Sequence, residues 1–341
     1  MAVRMKDIAE DLNVSVVTVS KVLRNQGDIS AETRRKVLKR AKELNYQPNW
    51  IARSLVTRKT YLIGLVFPDL MHSFFAEIAK GVSRKMRAGG YNIVIAYSEE
   101  DPEVERQEIE GLLARRVDGL IVASAQPPRQ TRLFKRIEDE KVPYVLIDRQ
   151  VAGLKANFVG VSDENVGRLA TEHLIAQGCK RLAHIRGPES TTGIGRCKGF
   201  HDACAEHGLE VPPERVVTGL FDDERGYNAM KELLALDPVP DGVVCYNDPV
   251  AAGALKAILE AGLRIPGDVA VIGAGNVHYS DLLRVSLSTV DQNSTAIGES
   301  AADLLLELLK SQEPPKPRTI LIEAKVRARD STRRQAELPA L

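Results

Sequence analysis

The chain has little that would staple, span or ligate. Its four cysteines (Cys179, Cys197, Cys204 and Cys245) include no two separated by only two residues, which excludes the spacings of zinc ribbons and redox pairs. They are expected to be free, buried thiols in a reducing compartment. No stretch approaches the roughly 18 apolar residues of a membrane span, and residues 1–30 carry charges throughout with no signal-peptide core, so a soluble, cytoplasmic protein without membrane contact is expected. The six histidines (His72, His173, His184, His201, His207 and His278) show no metal pairing at i,i+4 spacing, and no phosphate-cradling glycine-lysine loop occurs. The glycines of GIGRCKG, at 193, 195 and 199, miss the dinucleotide fingerprint by one residue, and GAGNVH at 273 lacks its third glycine. No enzyme, cofactor or metal site is expected.

A net charge of either sign is also missing, since 47 Lys and Arg meet 46 Asp and Glu. The distribution is uneven. Residues 1–60 hold thirteen basic and six acidic side chains, a net +7, which leaves −6 for the remainder. A small basic module fused to a mildly acidic body is the asymmetry expected when one end meets a polyanion. At 341 residues the chain also exceeds the roughly 250–300 over which one core keeps growing, so several domains are expected.

Within the basic module, Met5, Ile8, Ala9 and Leu12 form one helical stripe that Asn13 and Val14 break. Ser15 is a good cap for a second helix, Val16 to Arg24, whose Val19, Val22 and Leu23 face inward. Ser30 caps a third, Ala31 to Leu44, with Val37, Leu38, Ala41 and Leu44 covering the other two. Two short helices joined by a tight turn have the layout of a helix-turn-helix, whose second helix enters the DNA major groove.

From residue 61 onward, short β-rich runs alternate with amphipathic helices in two cycles. The first has strands near 61–67, 91–97, 118–124 and 142–148; the second has strands near 157–162, 181–187, 216, 241–247 and 268–273. Strict alternation argues for parallel sheets covered by helices on both faces, in two lobes. VSLSTVDQ, a helix over 294–310 and PRTILIEAKV suggest that the chain crosses back between the lobes near its end. Ligands of open α/β sheets bind beyond the carboxyl ends of the strands, which makes polar residues there, such as Asp148, Asn247 and Asp248, and Arg196 after the loop GPESTTGIG, the candidates.

MKDIAEDLNVSVVTVSKVLRN, then ISAETRRKVLKRAKELNYQPN, then IARSL, in that order and spacing, resemble the DNA-binding head of the lactose/galactose repressor family. The body resembles that of the same family and, through it, periplasmic sugar-binding proteins. The resemblance implies an α/β protein with a three-helix head (1–47), a hinge (48–60) and a two-lobed body, its N-terminal lobe 61–160 with 291–320 and its C-terminal lobe 161–290 with 321–330, before a tail at 331–341. It places Val16, Val17 and Lys21 at base-reading positions and Thr18, Ser30 and Thr33 at phosphate-holding ones. Valines cannot hydrogen-bond but can contact thymine methyls, whereas lysine can donate to guanine. Exposed Ser and Thr near helix starts can equally be plain caps.

The hinge is too short to be a stable helix in isolation. By the same resemblance, hinges of two subunits pair over the minor groove, with Leu55 as a wedge between base steps and Ala52 allowing close helix contact. Effector contacts are implied at Asp148, Arg196, Asn247 and Gln292, with Phe74, Phe75 and Phe221 as aromatic walls. One departure stands out. Where the family grips sugar hydroxyls with an aspartate, this chain reads Gly273-Ala274-Gly275-Asn276, which leaves a sugar, a sugar acid or a sugar phosphate open as effector, or a protein co-regulator. A homodimer on palindromic double-stranded operator DNA is expected, since one head reads only a half-site and the tail has no leucine heptads. A transporter's solute-binding protein would suit the body alone but not the basic head.

Overall fold

The computed structural model describes residues 3–23, 27–46, 54, 59–71, 73–311 and 315–334. The chain divides into two units, Met1–Thr60 and Tyr61–Leu341. In the first, α1 (Met5–Asp11), α2 (Val16–Leu23) and α3 (Ala31–Glu43) enclose a core of Ile8, Ala9, Val19, Val22, Val37 and Ala41. Asn13 takes a left-handed φ of 50°, a conformation asparagine tolerates, and so turns α1 into α2. The Ser15 hydroxyl accepts from Thr18 N–H (3.0 Å) and that of Ser30 from Thr33 N–H (3.2 Å), satisfying amide groups that helix starts leave open. Leu38 is 49% exposed, contrary to the inward placement expected of it. Val37, Ala41 and Leu44 already supply the i, i+4, i+7 stripe, and Leu38 lies about 100° round the helix from Val37.

The second unit contains two six-stranded sheets. One holds β1 (Leu62–Phe67), β2 (Asn92–Tyr97), β3 (Gly119–Val122), β4 (Tyr144–Ile147), β5 (Asn157–Gly160) and β11 (Thr319–Leu321) in the order β11-β5-β4-β3-β1-β2, every pair parallel. The other holds β6 (Leu182–Arg186), β7 (Val216–Thr218), β8 (Gly242–Cys245), β9 (Ala270–Ala274), β10 (Ser288–Asp291) and β12 (Lys325–Arg327) in the order β12-β10-β9-β8-β6-β7, with only β12 antiparallel. Strands β3, β4 and β8 are buried at every position, as parallel sheets covered on both faces require. The segment 317–326, expected to change lobe after residue 320, splits so that β11 (Thr319–Leu321) completes one sheet and β12 the other.

Paired helices cover the sheets: α4 (Ser73–Ala88) packs on α11 (Ser294–Lys310), α7 (Asp163–Ala176) on α8 (Thr191–Glu206), and α9 (Asp223–Leu234) on α10 (Asp248–Glu260). Between them in the chain lie α5 (Pro102–Ala114) and α6 (Arg132–Asp139). A glycine from each helix of a pair lets the backbones touch. A Cβ on Gly167 would lie 2.1 Å from Arg196 O, and one on Gly199 1.9 Å from Glu164 O. Gly195 and Gly199 of GIGRCKG are thus accounted for by helix packing, and Gly193 by its close approach to Pro188 O, 2.0 Å from where a Cβ would lie.

Residues 331 and 332, assigned to the tail by sequence, are instead buried in the second lobe. Ser331 Oγ donates to Val271 O (2.6 Å), and Thr332 Oγ1 lies 2.8 Å from His173 Nε2.

Candidate functional site

Two places collect the candidate residues. In the head, α2 starts at its Ser15 cap and buries Val19 and Val22, which turns Val16 (42% exposed) and Val17 (61% exposed) to solvent. Lys21 follows Val17 by one helical turn, on the same face, and its ammonium contacts Asp28. Thr18 Oγ1 lies 2.9 Å from Ser15 Oγ, and Ser30 Oγ donates to Thr33 Oγ1 at 2.9 Å. These hydroxyls therefore already serve the caps of α2 and α3. Ala52 and Leu55 lie outside the described residues.

In the body, all seven candidates from sequence line one cleft between the lobes, at the carboxyl ends of the strands: Phe74, Phe75, Asp148, Arg196, Phe221, Asn247 and Gln292. Phe74 and Phe75 open α4, packed edge to face with centroids 5.4 Å apart. Asp148 follows β4 in a left-handed turn (φ 59°). Arg196 comes from the second turn of α8. Asn247 and Gln292 follow β8 and β10.

Hydrogen bonding divides these residues. Arg196 Nε donates to Asp163 (3.0 Å), Nη1 to Tyr246 O (2.8 Å) and Nη2 to Gln292 Oε1 (3.1 Å), and its guanidinium stands over the Tyr246 ring at 4.9 Å. Burial pushes the Asp163 carboxyl up to about 6 even though Arg196 opposes that shift. Asn247 caps α10 by accepting from Val250 N–H (2.9 Å) and donates to Phe221 O (3.0 Å). Asp248 is fully buried and accepts from Val277 N–H, Ser280 Oγ and Thr289 Oγ1 at 2.6–3.0 Å. It holds the loop after β9 and does not line the cleft.

Asp148 differs from these. Its nearest cation is Arg149 Nε, 3.7 Å from Oδ2 and beyond hydrogen-bond reach. Burial raises its carboxyl pKa, while Arg149 and Arg196 act against the rise. Arg149 forks onto Glu100 through two bonds of 2.6 Å, yet its buried Nε has no partner among the described residues.

The cleft is nearly shut. Its cavity is about 30 Å³, room for a water or two. At its rim, Thr191 of the second lobe bonds both main-chain groups of Gln150 of the first: its hydroxyl accepts from the N–H at 3.2 Å and donates to the carbonyl at 3.3 Å.

Asp69, Glu100, Arg149, Tyr246 and Ala274 also line the cleft and were missed from sequence. Arg149 had a signal, because it follows Asp148 at a strand end. Glu100 had none, since only its pairing with Arg149 across 49 residues brings it there. Among the described residues no group of His, Cys, Asp or Glu is placed to hold a metal ion, and no helix is long and apolar enough to cross a membrane.

Residues 4–49 match the pattern of bacterial regulatory proteins of the lacI family, and residues 60–330 match periplasmic binding proteins and the sugar-binding domain of that family. The ribose operon repressor of Halalkalibacterium halodurans is 36% identical over 90% of this chain and 91% of its own. The transcriptional repressor PurR of Pasteurella multocida is 35% identical over 91% and 93%. The structure resembles the lac repressor dimer bound to operator and the anti-inducer ONPF, with a TM-score of 0.85 and 27% identity over 97% of this chain and 99% of that one. It also resembles the regulator CelR in complex with cellobiose, with a TM-score of 0.73 and 28% identity over 96% and 99%.

Proposed function

Because the chain belongs to the LacI family of bacterial regulatory proteins, we propose that it is a cytoplasmic, non-enzymatic repressor that binds a palindromic operator as a homodimer and is switched by a small hydroxylated effector in the inter-lobe cleft. The observation that carries the switch is the Asp148–Arg149 pair. Among the described residues, the Asp148 carboxylate has no hydrogen-bond donor and the buried Arg149 Nε–H no acceptor, and the two groups lie 3.7 Å apart. One hydroxyl can serve both, donating to Asp148 and accepting from Arg149 Nε, which removes the cost of leaving each unpaired.

The same geometry disfavours an anionic effector. The charge of Arg196 is already balanced by Asp163, and a carboxylate or phosphate would face Asp148 and Glu100. A neutral polyol or sugar suits the cleft better, with Phe74, Phe75 and Phe221 as apolar walls. The cavity of about 30 Å³ is far below the roughly 300–1,000 Å³ of ligand pockets, so the lobes must part to admit such a molecule. Effector binding and lobe angle are thereby coupled, and only a ligand with unequal affinity for the two angles shifts the equilibrium.

In the head, α2 reads the major groove through Val16, Val17 and Lys21, with Thr18, Ser30 and Thr33 on phosphates and Ala52 and Leu55 in the minor groove. The exposure of both valines supports this reading, because it leaves their methyl groups free to meet thymine methyls in the groove. The test is selection of operators from random duplex by the full-length protein, then a thermal-shift screen of neutral sugars, sugar acids and sugar phosphates with DNA binding measured for each hit. Thymine opposite α2 and a neutral hit that changes operator affinity are expected. Selection without thymine preference, or hits confined to anions, would overturn the respective half.

A further inference from the structure

Among the described residues, Lys21 is the one cation of α2, and it is already engaged. Lys21 Nζ contacts the carboxylate of Asp28, which lies in the connection between α2 and α3 and whose side chain is 58% exposed. The other acids of the head pair elsewhere: Asp7 with Arg4, Glu10 with Lys6, Glu32 with Lys36, and Asp11 and Glu43 with Arg40. Among the described residues, Asp28 alone takes a charge from α2. An exposed carboxylate beside a face that meets phosphates weakens binding to every DNA sequence. Nor is Asp28 part of the three-helix core.

We infer that Asp28 is a positioning residue for base reading, which restrains the Lys21 ammonium against α2 and leaves two of its three N–H donors for a guanine edge. The inference rests on the reading of α2 proposed above. A lysine on a flexible stem is a point charge that any phosphate satisfies, and phosphate contacts carry no sequence information. Held by Asp28, the same ammonium offers its two remaining donors only to acceptors placed opposite it, such as guanine O6 and N7. Asp28 thus weakens random binding more than operator binding. Exposed ion pairs couple weakly, by a factor of about five at most, which sets the size of the effect.

The test uses the full-length protein, its selected operator, that operator with the base pair opposite Lys21 exchanged, and random duplex, over a salt series. Asp28→Asn is expected to strengthen random binding by ~3-fold to 5-fold and to steepen its salt slope by about one phosphate contact. The operator-to-random ratio and the preference at the exchanged pair should fall by a similar factor. Asp28→Glu should restore both, and in a Lys21→Ala background Asp28→Asn should leave the ratio unchanged. Equal strengthening on all three duplexes, no change on any, or an effect that persists without Lys21 overturns the role of Asp28. If Lys21→Ala alone leaves the base preference untouched, the reading of α2 by Lys21 fails first, and the role of Asp28 with it.

Discussion

The two lobes have sheets of the same strand order, yet their walls of the cleft are in opposite states. The second lobe presents Arg196, Tyr246 and Asn247, with Gln292, expected in the first lobe, following β10 of the second sheet, each already bonded within the protein. The first presents Asp148 without a hydrogen-bond donor and Arg149 with one buried N–H unused among the described residues. A polar residue at a strand end is therefore a candidate ligand group only after local backbone demands have been met. Asn247 spends its amide on capping α10. Asp148 has nothing to cap and faces the cleft.

The contrast can be broken most severely at Arg196. Arg196→Met leaves Asp163 buried without its partner and is expected to cost ~3–5 kcal/mol of stability, read as a lower denaturation midpoint at neutral pH. A loss within experimental error would mean that the second wall is not a structural network. Next comes the acid half of that pair. Folding raises the Asp163 pKa from 3.8 to about 6, so the folded state holds this proton more tightly than the unfolded one. The group's contribution is present below about pH 4 and is lost as pH rises through 6. The stability of Asp163→Asn relative to wild type should therefore improve between those limits, by on the order of 2 kcal/mol, in melting curves across that range. A flat difference would argue that Arg196 compensates the carboxylate fully.

Asp148→Asn sharpens the comparison from the other side. Burial disfavours the Asp148 charge, so melting at neutral pH should be unchanged or slightly higher. The affinity for an effector found by thermal shift should fall ~10-fold or more, because a charged acceptor is lost. If stability fell as it does for Arg196→Met, the first wall would be structural too. The smallest effect belongs to the rim. Thr191→Val removes two bonds that span the lobes, worth ~1 kcal/mol together with solvent competition, and should shift the body towards an open form detectable by small-angle scattering. An unchanged scattering profile would show that closure is held elsewhere.

Much of this arrangement was legible in the sequence, for identifiable reasons. Helical stripes and Ser caps marked the three helices of the head to within a residue or two, because a short helix must bury one face and satisfy its first amides locally. The alternation of apolar runs and helices marked both parallel sheets for the same kind of reason. Leu38 was misjudged because an apolar residue beside a complete stripe looks like part of it. Ser331 and Thr332 were misjudged because small polar residues near a chain end resemble a tail, and it takes distant partners such as Val271, Ser288 and His173 to bury them. Gly195 and Gly199 are explained once α7 and α8 are seen in contact, and Gly193 by its packing on Pro188 O.

The sequence by itself determined which residues repeat at helical or strand spacing, where charge accumulates, and that Asp148 and Asn247 fall near strand termini, since these follow from periods of a few residues; Arg196 and Gln292 were implied only by the family resemblance. Only the tertiary structure decided which of those four still has hydrogen-bonding capacity to offer. That depends on partners 26 to 96 residues away, such as Phe221 for Asn247 and Gln292 for Arg196. Local spacing carries no trace of such partners.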